Sequence, residues 1–591
     1  MLKAALDWVD ARAGYRQLLA DLGQTPLPGG ARWTRTLGPL ILGLFALEAL
    51  TGVGLAAWYA PSTTDAWASV NHINNVLALG WLLRGIHHVG GTLLVIVAIL
   101  HLVQLVVWAA YKAPRELSWL CFMLALQALI VTSHTGYLLP QDLRAYWATQ
   151  VLVGIAGNQP IVGGPGQLLI QGGDAVGNTT LTHLYALHVF LGPGGLAALL
   201  LLSWLLMRKA GMPAPPNLKP EEAAAKTEPW SERQALYDFA AIFLAVAGVV
   251  VYVVINKGVH LDAPGDPAVD YLARPEWYMM PIFTLRHFFT GQWEFIATVG
   301  IPGLGIGALC GLPFVYARLE KMGRNARLVL SGAVLSGLVG AVTLGVVQAG
   351  IDASDPKGKI LEERAEKGAA LARRLASVGV PVEGPLELYK NDPVVWGEKV
   401  FVRECLACHE KCEQGKEYKG SMCLEGYASR AWVTALLKNP ADKHFFGNTK
   451  IDGMDAFEGK EDALAAIVEF LVAQTGRPGV DSALSAKGRK AYEDEGCESC
   501  HSLDGKGTGD APDLKGWASP DWLKAFVRTP AAPRFYGEMN EMDEFGHDVL
   551  TNRELAAVVA YLGALGERPF EFAAQPAVKT EPKEPKEKPA P

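Results

Sequence analysis

The sequence predicts an all-α protein: a seven-helix transmembrane bundle followed by two small α-helical units. Three observations predict it. Apolar residues concentrate before about residue 352, in seven segments long enough to span a bilayer. After that point the chain turns charged. A block from about 392 to 572 then contains an internal repeat: "KNPADKHFFG…GMDAF…ALAAIVEFL" returns as "RTPAAPRFYG…EMDEF…ELAAVVAYL".

In chain order, 1–32 reads as a cytoplasmic N-terminal segment. It lacks an apolar stretch followed by a small-residue cleavage site, so insertion is expected to depend on the first span. The spans fall near 37–59, 83–109, 117–138, 183–207, 236–255, 293–317 and 327–349. The first four form one group (33–215) and the last three another (216–352). "GPGG" at 192–195 interrupts the fourth span, which neighbouring helices must tolerate by packing there. Residues 353–391 read as a charged linker helix, 392–477 and 478–572 as the two repeat units. The tail, 573–591, holds "KTEPKEPKEKPAP" and is expected to be disordered.

Lysine and arginine set the orientation. Lys3, Arg12, Arg16, Arg32 and Arg35 precede the first span; Lys112 and Arg115 follow the second; Arg208, Lys209 and Lys219 follow the fourth; Arg318, Lys321, Arg324 and Arg327 follow the sixth. These segments share one side, which is therefore cytoplasmic. Seven spans then put the C-terminal half on the outer side. A net charge of −7 without a basic patch excludes a nucleic-acid binder of the usual kind.

The second span, "LRGIHHVGGTLLVIVAILHL", carries Arg84, His87, His88 and His101. Ionisable groups inside a span are functional candidates. His87 and His101 are fourteen residues apart. That spacing leaves them about 40° apart around the helix and about 21 Å apart along it. One helix can thus offer imidazole nitrogens to two haems stacked across the membrane.

"GWLLRGIHH", "KAPRELSW", "TGYLLPQDLRAYWA", "TLTHLYALH" and "RPEWYMMPIFTLR" make residues 33 to 350 resemble cytochrome b of the cytochrome bc complexes, closest to the split form with its smaller partner subunit, here joined in one chain. The resemblance implies haem b, with His188 pairing with His87 at the outer level and Arg84 near a propionate. It also implies a quinol-oxidation pocket at Pro275, Glu276, Trp277 and Tyr278. A glutamate beside an apolar quinone pocket can take a proton from quinol.

The family's second histidine on the fourth helix should follow His188 by fourteen or fifteen residues. Leu202 and Ser203 stand there. The expectation is therefore one ordinary bis-histidine haem b and a second, at His101, with altered ligation or absent. Water, a weak ligand or Met207 are the open alternatives to histidine.

In the repeat, "CLACH" gives Cys405, Cys408 and His409, and "CESCH" gives Cys497, Cys500 and His501. Two thiols at this spacing form thioethers to haem vinyls and the adjacent imidazole binds the iron, so two covalent haems c are expected. Met454 and Met542 occupy equivalent repeat positions as distal ligands, with Met539 the rival in the second copy. Cys412 and Cys423 are expected to form a disulfide; two unrelated thiols are the alternative.

The sequence thus reads as the cytochrome b/c subunit of a quinol:cytochrome c oxidoreductase in a bacterial inner membrane, with its cytochrome c units on the periplasmic side. The resemblance implies a Rieske iron–sulfur subunit, a membrane quinol, a separate electron acceptor and a homodimeric complex. The alternative is a non-enzymatic electron conduit, for which a proton-accepting pocket would be superfluous.

Overall fold

The computed structural model describes residues 1–322, 325–410, 412, 418–507 and 511–568; the tail at 573–591 lies outside them. The chain forms two compact units, Met1–Glu387 and Leu388–Pro591. Both are helical. Among the described residues the strands amount to one two-residue antiparallel pairing, Pro26–Leu27 with Glu228–Pro229.

Seven helices in the first unit are long and apolar enough to cross a membrane: Trp33–Ala56, Gly80–Val107, Glu116–Leu138, Asn178–Ala210, Gln234–Ile255, Gly291–Lys321 and Ala326–Ser354. They are called spans 1 to 7. Span 1 packs along span 2, and span 3 along span 4. Their shared core includes Leu44, Leu94, Ala98, Phe122, Leu126 and Leu196. The fourth span crosses its "GPGG" interruption through one widened, π-type turn, Leu187–Leu191. Pro193 has no N–H to give, and such turns absorb that loss locally. Gly192 follows the turn, and a Cβ there would lie 2.3 Å from Thr132 Oγ1. Close approach of span 3 is what the glycine permits.

The charged linker forms a helix over Pro356–Ala376. Asp355 caps it by accepting from Lys357 N, and Arg373 and Arg374 sit in its last turn, where the helix dipole favours cations.

The second unit has six principal helices: α1 (Pro393–Glu404), α2 (Arg430–Lys438), α3 (Glu461–Gln474), α4 (Ser482–Asp494), α5 (Pro520–Arg528) and α6 (Asn552–Leu565). The repeat is visible in detail. Ser429 caps α2 through Trp432 N, and Ser519 caps α5 through Trp522 N. Each tryptophan Nε1 then donates to an equivalent carbonyl, Cys423 at 2.9 Å and Asp513 at 3.1 Å. The longer helices pair across the repeat: α1 packs on α6, and α3 packs on α4. Gly397 and Gly488 stand at these two crossings, against Ala557 and Ala466.

Candidate functional site

At the outer level of the membrane unit, His87 of span 2 faces His188 of span 4. Their ring centroids are 6.0 Å apart with the planes at 87°. Metal–imidazole bonds run at about 2 Å, so an iron between two facing nitrogens would hold the centroids roughly 6 Å apart. Both Nδ1 atoms are engaged elsewhere. His188 Nδ1 donates to Thr132 O at 2.8 Å. His87 Nδ1 lies 3.0 Å from Thr51 Oγ1 and 3.1 Å from Glu48 Oε2. Each Nε2 is therefore the nitrogen left for a metal, oriented by the bond its partner nitrogen makes. Two glycines make room for the rings. A Cβ on Gly52 would lie 3.1 Å from His87 Cε1, and one on Gly136 would lie 2.4 Å from His188 Cε1. These residues fit a bis-imidazole haem b.

The inner level repeats this arrangement fourteen residues along. His101 succeeds His87, and Gly38 succeeds Gly52, with its added Cβ 3.5 Å from His101 Cε1. Where His188 uses the carbonyl of Thr132, Ser203 Oγ donates to the carbonyl of Ser118 at 2.9 Å, and Ser118 Oγ returns a bond to Ser203 O at 2.7 Å. That correspondence places Ser203, not Leu202, at the second ligand position. Leu202 is exposed and Ser203 is buried. Phe122 stands where the outer level has Gly136. Its ring meets the His101 imidazole edge-on at 5.2 Å. His101 Nδ1 donates to Gln104 Oε1 at 2.8 Å. Met207 is partly buried against the apolar core. The residues here do not fit a second bis-imidazole iron.

Pro275–Tyr278 lies in the outer segment between spans 5 and 6. Glu276 precedes a short turn at Trp277–Met279, and the Tyr278 hydroxyl donates to its carboxylate. Burial pushes the Glu276 carboxyl up to about 8, with the Arg144 guanidinium opposing the shift. Trp277 is half exposed at 47%. Two anchors fix this segment. Tyr137 OH donates to Arg274 O at 2.8 Å. Arg274 also forms a two-pronged pair with Asp352 at the end of span 7, at 2.6 and 2.9 Å. Nearby, Asp262 draws together Arg144 (3.3 Å), His260 (3.0 Å) and the Tyr271 hydroxyl (3.1 Å). Arg84 donates to the carbonyls of Val259 and His260 at 3.0 and 3.3 Å. It thus holds the same outer segment.

In the second unit each Cys-x-x-Cys-His follows an N-terminal helix, α1 or α4. His409 Nδ1 donates to Met422 O at 3.1 Å, and His501 Nδ1 donates to Pro512 O at 2.9 Å. Burial lowers the pKa of both histidines, which keeps them neutral, as an iron ligand must be. Again each Nε2 is left for a metal. Met454 and Met542 are both partly buried against the common core, whereas Met539 is exposed. Cys405, Cys408, Cys497 and Cys500 are unpaired thiols, and Cys412 and Cys423 form a disulfide.

Residues 24–211 match the family model for cytochrome b/b6/petB, and residues 485–566 match the model for cytochrome c. Cytochrome b6 of Synechocystis sp. (strain ATCC 27184 / PCC 6803 / Kazusa) is 34% identical over 208 residues, covering 35% of this chain and 94% of that protein. Cytochrome b6 of Synechococcus elongatus is 33% identical over 209 residues, covering 35% of this chain and 97% of that one. The chain belongs to the cytochrome b family. A solved chain described as "Hyperthermophilic respiratory Complex III" aligns over 58% of this chain and 94% of its own length, with a TM-score of 0.47 and 24% identity.

This cytochrome b carries a cytochrome c region on the same chain and is a membrane-spanning, haem-dependent electron-transfer protein of the bc type. Its sequence alone did not reveal Glu48, Thr51, Phe122 or the group around Asp262. The glycines at 90 and 91 were read as room for a haem; a Cβ on Gly90 would in fact meet Glu48 Oε1 at 2.2 Å. The one available signal was the fourteen-residue register, applied to spans 1 and 3 as well as to span 2.

Proposed function

We propose that this chain is the cytochrome b/c subunit of a quinol:cytochrome c oxidoreductase, with the quinol oxidised on the outer side near Pro275–Tyr278. The observation that carries this reading is Glu276: a buried carboxylate, bonded by Tyr278, on a segment anchored to spans 3 and 7. Such a group can accept a quinol proton in an apolar setting and release it toward water. Trp277 and Pro275 shape the pocket wall. Bound haem b and haem c would supply single-electron transfer. For these groups His87 and His188 would be the axial ligands at the outer level, and the remaining Arg84 N–H groups suit a propionate. Cys405, Cys408, Cys497 and Cys500 would form the thioethers. His409 with Met454, and His501 with Met542, would bind the c irons; thioether ligation raises potential, which suits an electron exit.

Quinol gives up two electrons, and the first needs a one-electron acceptor at the pocket. A Rieske iron–sulfur subunit is that partner in this reading, in a dimeric complex of the bacterial inner membrane with the c units facing the periplasm. The test is quinol-dependent reduction of the c haems in the purified complex. Reduction that a Glu276→Gln substitution slows supports the reading. Reduction by quinol at the parent rate in that variant refutes Glu276 as the proton acceptor.

A further inference from the structure

We propose that this chain binds one haem b, at the outer level, and that Phe122 and Ser203 close the inner level to a second. The proposal rests on His87 and His188 being haem ligands and goes beyond it. Four inner positions repeat four outer ones at a spacing of fourteen residues: Gly38 and Gly52, His101 and His87, Phe122 and Gly136, Ser118 and Thr132. A fifth pair, Ser203 and His188, is fifteen apart and bonds the carbonyls of that last pair. Two of the five differ in a way that bears on a haem. Ser203 cannot replace an imidazole as a ligand. Its side chain is several ångströms shorter, and its hydroxyl is committed to Ser118 O at 2.9 Å.

Phe122 is the stronger obstacle. At the outer level any side chain on residue 136 would strike His188, so that wall is a glycine. At the inner level the same wall carries a benzyl group, 5% exposed, lying edge-on against His101 at 5.2 Å. A macrocycle bound to His101 would have to displace it. The missing imidazole and the added ring are complementary: one vacates volume and the other fills it, as close-packed interiors require. His101 is meanwhile satisfied by Gln104 at 2.8 Å and needs no metal. The inner site, about 21 Å from the outer along the helix, then has no iron to receive an electron.

Haem content tests this without reference to turnover. Purified full-length protein, assayed by pyridine haemochrome, is expected to hold one extractable haem b for every two covalent haems c. His101→Leu is expected to keep that haem b, with the covalent haem as the internal standard for folded protein. Two haems b per chain, in any spin state, overturn the proposal, as does loss of haem b in His101→Leu. His87→Leu is expected to lose haem b. Its retention there would overturn the ligand assignment underneath, a different failure, and neither result depends on whether quinol is the substrate.

Discussion

Gly488→Ala is expected to destabilise both haem-binding copies of the second unit at once. Gly488 lies on α4, which begins the second copy, and faces α3, which ends the first. A Cβ there would sit 1.8 Å from Ala466 O, 2.5 Å from Ala466 C and 2.8 Å from Phe470 Cβ. The first two are helix backbone, which cannot swing aside as a side-chain tip can. The crossing must open by more than 1 Å to reach an ordinary contact, which loosens the Phe470–Tyr492 pair, now at 5.4 Å. Overpacking of this kind costs typically ~1–3 kcal/mol, and a backbone obstacle belongs at the upper end. Alanine recovers ~1 kcal/mol through helix propensity. The net loss is about 2 kcal/mol, or roughly 4–8 °C in Tm for a unit of this size. Thermal unfolding of detergent-solubilised protein, followed by circular dichroism of the haem bands, reads it. A single transition shifted downward is expected. An unchanged Tm, or a low transition involving only one of the two haems c, would refute the cross-repeat pairing.

Replacing Cys405 and Cys408 together by alanine is expected to halve the haem that stays with the polypeptide after acid–acetone extraction; full retention would show that the first motif carries none. Glu276→Gln is expected to slow quinol oxidation by about two orders of magnitude, the usual span of a positioned acid–base group, while both c haems keep their spectra. The pH profile should carry the same sign. Burial holds the Glu276 carboxyl at about 8, so the ionised, proton-accepting form grows as pH rises toward and past that value. The parent rate should climb through this window and the Gln variant should not. The raised value also means that the folded state holds this proton more tightly, so Glu276 lowers stability as pH rises from 4.5 to about 8. Thiol titration of the denatured holoprotein should find Cys121 and Cys310 only, and Cys412 and Cys423 should join them after reduction.

Periodicity and composition carry far in this chain because a bilayer imposes them. The lipid interior demands about twenty apolar residues in a helix, so all seven spans were legible, with ends displaced by a few residues. The Cys-x-x-Cys-His motifs were legible because the chemistry is local. What α1 and α3 pack against was not. The repeat makes each N-terminal helix equivalent to the other, and each C-terminal helix likewise. Own-copy and cross-copy pairing therefore bury the same faces, Gly397 against a Tyr561-type neighbour and Gly488 against a Phe470-type one. A one-dimensional pattern cannot distinguish them, and only the course of the connecting segments does.

The membrane sites divide in a similar way. His87 and His101 could be paired from one helix, since 3.6-residue geometry fixes their relation. The fourth span could not be read so directly, because its widened turn at Leu187–Leu191 changes the register between His188 and whatever follows. One extra residue in that turn moves the ligand position from fourteen to fifteen after His188, from Leu202 to Ser203. The structure settles this through the carbonyls of Thr132 and Ser118 on the neighbouring helix, which act as fixed marks fourteen residues apart. Once Ser203 is placed, the residue opposite it acquires meaning. An isolated phenylalanine in an apolar span says nothing. A phenylalanine one haem-repeat away from the glycine that admits His188 says that the inner slot has been rebuilt as core, and that the polar survivor, His101, is held by Gln104 rather than by iron.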